Sequence, residues 1–438
     1  MFSGVAVALP KLGVDLGAGA IALELIESLF LAGSVALQRP AGRLADATDR
    51  RRLFKLGLLV FGLLSALLGA LSSVPLVLIV RFLQGACSAM LGATGPALVA
   101  ELVPAERRGK VYGASIGVIY SGLTLGPICA GLIVDAWSWR GVFLVGAGLL
   151  LIMYALVELR LPSSWRRPGR AVHLPSAGLI VASVLCLVFG AASVAGGPLG
   201  PVLLGAGLLL AIVFVAVQRR IDRPLLDVGA LVGHRVMRAA LFVQLLLYMA
   251  AYSSTFMLSI YMQVSLGHPA KTSGWMLSIS AVLMAALAPV AGALSDRLRP
   301  GVIAGLGVLM VLSASLLATG LDASSSLVRV GLVLATQGIG FALFSSPNMT
   351  IIMNSAAESE VSMASALGAK ARALGMISGM LITSLLIAVR IGNEAVEDHP
   401  VEFVGIVVTG FSVLAVSNGL ALLVAVISGL RTRGNAAK

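Results

Sequence analysis

"SGLTLGPICAG", residues 121–131, lies inside a long apolar run yet holds the residues least suited to a helix in water. Glycines stand at 122, 126 and 131, with a proline at 127. Glycine costs a helix about 1 kcal/mol relative to alanine, and proline removes a backbone N–H and clashes with the preceding turn. Why such residues sit in a segment that must be helical depends on the solvent around it.

Composition settles the solvent. Of 438 residues, 58% are hydrophobic and 11% charged, against about a quarter charged in a soluble domain. Mean hydropathy is +1.02. The stretches 56–80, 141–157 and 301–321 carry no charge. Each crosses, or nearly crosses, a hydrocarbon core of about 30 Å at about 1.5 Å per residue. The chain therefore reads as an all-α polytopic membrane protein. A β-barrel is excluded, because its strands alternate polar and apolar over about ten residues.

The net charge of +12 would suggest nucleic acid in a soluble protein. Here the basic residues bracket apolar spans, so they read as topology signals and no nucleic-acid partner is expected. Cys87, Cys129 and Cys186 all fall within spans, which implies no disulfide framework. The first nine residues carry no basic group, so no cleavable signal peptide is expected.

About fourteen spans are expected, near 1–10, 18–41, 53–71, 76–102, 111–135, 141–157, 174–195, 199–217, 237–262, 272–294, 301–321, 326–353, 361–390 and 402–430. Lys and Arg crowd alternate connectors, as at Arg50–Arg52, Arg107–Arg108 and Arg219–Arg220. The bias is about four to one, which puts both termini in the cytoplasm of a cell-membrane protein. The chain also repeats itself. "GRLAD" at 42–46 returns as "GALSD" at 292–296, and residues 95–115 align with 346–366. Two stretches with nearly one offset argue for two homologous halves, an arrangement characteristic of secondary transporters.

"GRLADATDRRR", residues 42–52, resembles the loop between the second and third helices of the major facilitator superfamily. Gly42 permits a tight exit, and Asp46 can pair with Arg50, Arg51 or a neighbouring helix N-terminus. The resemblance implies a conformational latch, copied at Gly292, Asp296 and Arg297. Asp49 stands where the family usually has glycine. "RFLQGACSA", residues 81–89, resembles the fourth-helix motif, whose arginine the family's drug:proton antiporters use in coupling. Arg81 either faces a cavity or partner, as buried charges do, or snorkels to the headgroups.

The opening stretch now resolves. Gly122, Gly126, Pro127, Ala130 and Gly131 resemble the fifth-helix antiporter motif of proton-driven exporters. Residues 122, 126 and 130 form a bare stripe for close helix packing, and Pro127 bends the helix where neighbours can re-satisfy it. "VAVALP" at 5–10, "WR" at 139–140 and "RPLLDV" at 223–228 extend the likeness to the fourteen-helix drug:proton antiporter branch. It implies two pseudo-symmetric six-helix bundles, 1–160 and 237–438, joined by two linking helices in 161–236. The branch has an aspartate just ahead of "VAVALP", where this chain has Met1, and ten residues span only about 15 Å. The first span is therefore expected to be incomplete, with the true start upstream.

Glu24 and Glu27 share one face of the second helix. Glu24 is expected near the outer headgroups and solvated. Glu27 lies a turn deeper, where a carboxyl can exchange protons, either as the coupling acid with Arg81 or as a structural ion pair with it. In the thirteenth span, Lys370 and Arg372 are charges with no acid in the second half's spans, which points to anionic or zwitterionic cargo. Gln244, Tyr248, Tyr252, Gln337 and Asn348 offer polar groups for a substrate cavity.

The function expected is proton-coupled export of small organic compounds by alternating access, by a monomer with no cofactor and no metal. An importer or facilitator on the same fold is the alternative. An enzyme would need a constellation near the membrane surface, and the acids Glu394, Glu397, Asp398 and Glu402 with His399 occupy a single outer loop. A transporter-derived sensor would move no protons.

Overall fold

Backbone polar groups in lipid must be satisfied within the segment, so each apolar run closes into a helix. A computed structural model describes residues 2–160, 173–221, 235–355 and 361–435. Among them are fourteen helices of 15 residues or more: α1 Phe2–Leu16, α2 Ala20–Ala47, α3 Arg50–Ala70, α4 Val74–Leu102, α5 Ala105–Ala136, α6 Trp139–Arg160, α7 Leu174–Ala192, α8 Leu199–Gln218, α9 Arg235–Ile260, α10 Ala270–Arg297, α11 Pro300–Ala318, α12 Leu327–Asn354, α13 Val361–Arg390 and α14 Pro400–Asn435. Twelve are long and apolar enough to cross a membrane. α1 has 15 residues, and the apolar segment described for α5 is Ser121–Ala136.

The first helix runs past its expected end at residue 10, through Pro10 to Leu16. Its polar tip is anchored, which is what lengthens it. Lys11 donates to the Val134 carbonyl (3.3 Å) and pairs with Asp135 (3.1 Å), while Asp15 accepts from Trp139 (2.9 Å) and pairs with Arg140.

Consecutive helices alternate in direction, which defines two ends. The basic end carries Arg43, Arg50–Arg52, Lys55, Arg297 and Arg299 at the α2–α3 and α10–α11 turns. The far end carries the α1–α2, α5–α6, α9–α10 and α13–α14 turns. The repeat read from sequence is a repeat of structure: α2 and α10 both have 28 residues and start 250 positions apart. Within each half the same pair of helices crosses closely. A Cβ on Gly85 in α4 would strike the carbonyl of Phe30 in α2, and one on Gly338 in α12 would sit 2.6 Å from that of Ser280 in α10. Phe30 and Ser280 are again 250 apart.

α7 and α8 form a hairpin tied by the Ser183 hydroxyl on the Gly207 carbonyl (2.8 Å). α7 buries Val184, Val188 and Ala192 against Leu25 and Leu29 of α2 and Ile377 of α13. It thus touches both halves at once.

Candidate transport site

The halves meet along α5 against α10 and α2 against α13. The residues of the opening stretch divide between two partners. Pro127 and Gly131 face α10: a Cβ on Gly274 would strike the Pro127 carbonyl, and one on Gly131 would lie 2.7 Å from that of Ala270. Ser278 donates to the Thr124 carbonyl (2.9 Å), in the turn that the proline loosens. Gly126 and Ala130 instead face α1, where a Cβ on Gly4 would come within 2.9 Å of both. Gly122 is exposed, with open space where a side chain would go. Of the expected stripe, 126 and 130 pack closely but against α1, and 122 does not pack. The close approach to the other half is made by the 127 and 131 face, one position round the helix.

Further hydrogen bonds join the halves at the far end. Ser259 donates to the Ala6 carbonyl (2.8 Å), the Lys271 N–H to Asp135 (2.8 Å) and the Ala20 N–H to the Glu394 carbonyl (2.8 Å). The acidic outer loop is thus a seat for the start of α2. Its His399 is held between Glu394 and Glu402. Burial of Glu397 in this loop pushes its carboxyl above the ordinary range, while the Ser324 hydroxyl and N–H hold Asp322, in the α11–α12 loop, below it.

Between the halves lies a chain of buried polar groups. Glu27 and Arg81 are each 2% exposed, 3.5 Å apart. Arg81 does not snorkel. Its Nε donates to the Ile26 carbonyl (2.9 Å), another nitrogen to Gln84 (3.0 Å), and its guanidinium lies 4.5 Å from the Phe30 ring. Gln84 in turn donates to Ser65 of α3 (2.8 Å). Tyr252, from the second half, donates to the same Glu27 oxygen (3.2 Å). One carboxylate is therefore shared by an arginine of one half and a phenol of the other.

Arg81 also forms part of the wall of a cavity of about 310 Å³. Phe30, Phe61 and Phe143 supply its aromatic surface, Ser34, Gln84 and Ser88 its other polar groups, and Ala373 and Met376 of α13 close it from the second half. The volume is at the lower end for small-molecule sites, and a mostly apolar lining with a few fixed polar groups is their usual make-up.

The remaining expected residues are placed as follows. Gln244 donates to the Gly368 carbonyl (2.7 Å) and accepts from Asn348 (3.0 Å). Gln337 accepts from Ser254 (2.8 Å). These three tie α9, α12 and α13 together within the second half and lie outside the cavity wall. Tyr248 packs edge-on against Phe341 (5.7 Å), with the exposed Arg372 5.5 Å from its ring. Lys370 is half-buried and engaged within the protein.

At the basic end, Arg50 pairs with Glu101 (3.6 Å). Gly42 packs beside Ala93, and its repeat Gly292 beside Ser346; Arg297 is exposed. The Asp46 and Asp296 side chains lie outside the described residues. Asp49 needs no glycine at its position. Its backbone is extended (φ −102°), and its carboxylate caps α3 by accepting the Arg51 N–H (2.9 Å).

The expectation for Glu24 is corrected as well. Glu24 is fully buried, not solvated. The α13–α14 loop lies over the start of α2, and Gly19 sits so close to the Asn393 carbonyl that a Cβ would strike it. The i, i+3 spacing to Glu27 was the available signal.

Comparison with known proteins agrees with this architecture. The family described as Major Facilitator Superfamily matches residues 1–380 and 240–436. The chain is 31% identical, over 97% of its length and 86% of that protein's, to the puromycin resistance protein pur8 of Streptomyces alboniger. It is 28% identical to the multidrug resistance protein Stp of Mycobacterium tuberculosis, over 88% of this chain and 72% of that one. To the tetracenomycin C resistance and export protein of Streptomyces glaucescens it is 25% identical, over 89% and 73%. Among solved structures, a bacterial homologue of the human drug peptide transporters PepT1 and PepT2 superposes with a TM-score of 0.68 at 14% identity, covering 99% of this chain and 95% of that one.

Proposed function

The chain belongs to the major facilitator superfamily, and from that premise we propose that this membrane transporter exports small, partly aromatic organic compounds in exchange for protons. The observation that carries the reading is the shared carboxylate: Glu27 holds Arg81 of one half and Tyr252 of the other. A proton on Glu27 cancels the charge that binds both partners, so protonation and the far-end contact between halves are energetically linked. Arg81 borders the cavity, so a compound bound beside it is linked through the shared guanidinium to the charge on Glu27. The resistance and export relatives support the outward direction.

The basic end is read as cytoplasmic, with both termini there. In that orientation the far-end contacts join the halves on the outer side, and Ser34, Val35 and Ala373 are among the residues that line the cavity. The two halves, 1–160 and 237–438, act as rocking bundles, the α7–α8 hairpin of segment 161–236 rides on their seam, and the Gly42–Arg51 and Gly292–Arg297 segments latch the cytoplasmic side. The protein works as a monomer in the cell membrane.

The test is flux in proteoliposomes with an imposed pH gradient, using puromycin and tetracenomycin C as probes. Glu27→Gln is expected to abolish gradient-driven accumulation and leave downhill exchange of the probe. Equal loss of both modes would make Glu27 structural, and accumulation indifferent to the gradient in the wild type would refute proton exchange.

A further inference from the structure

The coupling reading leaves one buried ionisable group unused. Glu24 is fully enclosed at the far-end seam, where α2 meets α13. Its carboxylate lies beside the hydroxyls of Ser28 and Ser384, yet neither oxygen has a hydrogen bond of normal geometry. The Ser28 and Ser384 hydroxyls lack a partner as well. Four polar atoms are thus sealed together.

No cationic side chain among the described residues faces this cluster. From α2 itself comes the like charge of Glu27, whose arginine is already engaged. From α9 comes Tyr252, which donates to Glu27. On α13 the neighbours are Ser384 and Thr383, and the ionisable Arg390 bonds Thr409 (3.2 Å). On α1, Lys11 is held by Asp135 and Asp15 by Arg140. The loop above brings Glu394, paired with His399. α7, against the same face of α2, contributes no charged residue.

An isolated carboxylate removed from water is strongly disfavoured, and such a group neutralises instead. The seam that removes the water is itself conformational. It forms from residues of both halves, and it opens when the far end opens. We propose that Glu24 is a proton-binding site that gates the far end: the seam closes over Glu24 only when its carboxyl is protonated, and opening exposes it to lose the proton to the far compartment. A protonated carboxyl can donate to one of the Ser28 and Ser384 oxygens while its other oxygen accepts from the second hydroxyl. The site takes its proton from the far side and returns it there, so it reads the pH of that compartment, a role separate from exchange through Glu27. The inference rests on the alternating-access reading but not on proton exchange.

The experiment measures the far-end gate without substrate. Cys87, Cys129 and Cys186 are replaced, and Glu27→Gln is introduced throughout so that Glu27 does not titrate; this background serves as the wild type in the gate measurements. Spin labels are placed at Ser72→Cys and Ala323→Cys, exposed far-end positions of the two halves, and distances are read in nanodiscs across pH. The wild-type closed-to-open ratio is expected to rise on acidification, by up to about tenfold per pH unit for one proton. Glu24→Gln is expected to stay closed at every pH, whereas Glu24→Asp keeps a titration with a moved midpoint. A Glu24→Gln gate that titrates like the wild type overturns the proposal, as does a wild-type gate indifferent to pH. Closure driven by sodium in place of choline at fixed pH, and not by acid, would also overturn it, because the site would then hold a metal cation. Proton-coupled flux is scored separately. Absent flux with a gate that titrates through Glu24 refutes exchange and leaves this inference standing.

Discussion

Tyr252→Phe isolates the contribution of the inter-half hydrogen bond at Glu27. The substitution removes one hydroxyl and keeps the ring, so packing is preserved. The bond lost is a phenol donating to a buried carboxylate at 3.2 Å, and hydrogen bonds to charged groups contribute about 1.5–3 kcal/mol net. Glu27 keeps Arg81, and Arg81 keeps Ile26 and Gln84, so the rest of the chain of contacts survives. The bond spans the two halves, so it stabilises only states in which the far end is closed. Its loss should move the closed-to-open ratio by about 10- to 150-fold toward open, the energy above converted by RT. The measurement is the far-end distance distribution between labels at positions 72 and 323. A second arm combines Tyr252→Phe with Glu27→Gln, where the two effects should be non-additive because they share one contact. A ratio within about twofold of the wild type, roughly 0.4 kcal/mol, would show that the bond persists in both states. Full additivity would show that Tyr252 acts elsewhere. Either result refutes the claim that Glu27 reports on the seam.

Other expectations follow from single contacts. Gly85→Val drives a side chain into the Phe30 carbonyl, so α2 and α4 must separate. Thermal unfolding in detergent should show a loss well above that of an exposed substitution, which is within about 0.5 kcal/mol. Asp49→Ala removes the α3 cap and should cost about 0.5–2 kcal/mol, with Asp49→Ser recovering most of it in the same assay. Phe61→Ala should enlarge the cavity and shift probe preference toward bulkier compounds, seen as a changed ratio of puromycin to tetracenomycin C efflux in cells.

Fold and site were legible to different depths. Helix number, alternation and the two-half repeat follow from local properties, namely runs of apolar residues, the sign of their flanks and the return of "GRLAD" after 250 positions. The Glu27–Arg81 pairing was accessible because depth along two antiparallel helices can be counted. Glu24 was misread by that same count. Its distance from the end of α2 suggests water, but Ser384 of the other half lies against it and Asn393 and Glu394 cover the start of its helix, and no local pattern records a lid that comes from residues so far away. Gly122 failed for a related reason. Spacing identifies which residues share a stripe, not which stripe has a neighbour.

The polar residues of the second half carry the same lesson into function. Sequence marks Gln244, Gln337 and Asn348 as unusual in lipid but not the direction they face. In the structure they join Gly368 and Ser254 in bonds that run from helix to helix inside one half. Ser253 with Thr383 at 2.6 Å adds another. Satisfied polar contacts of this kind hold helices in fixed register, since the alternative is an unpaired group in hydrocarbon. Ionisable groups deep in the seam come instead from α2 and α4. A stiff second half that offers Tyr252 and Ser384 to a titratable first half is an economical arrangement for alternating access. A proton then changes the contact between two bodies without loosening either one.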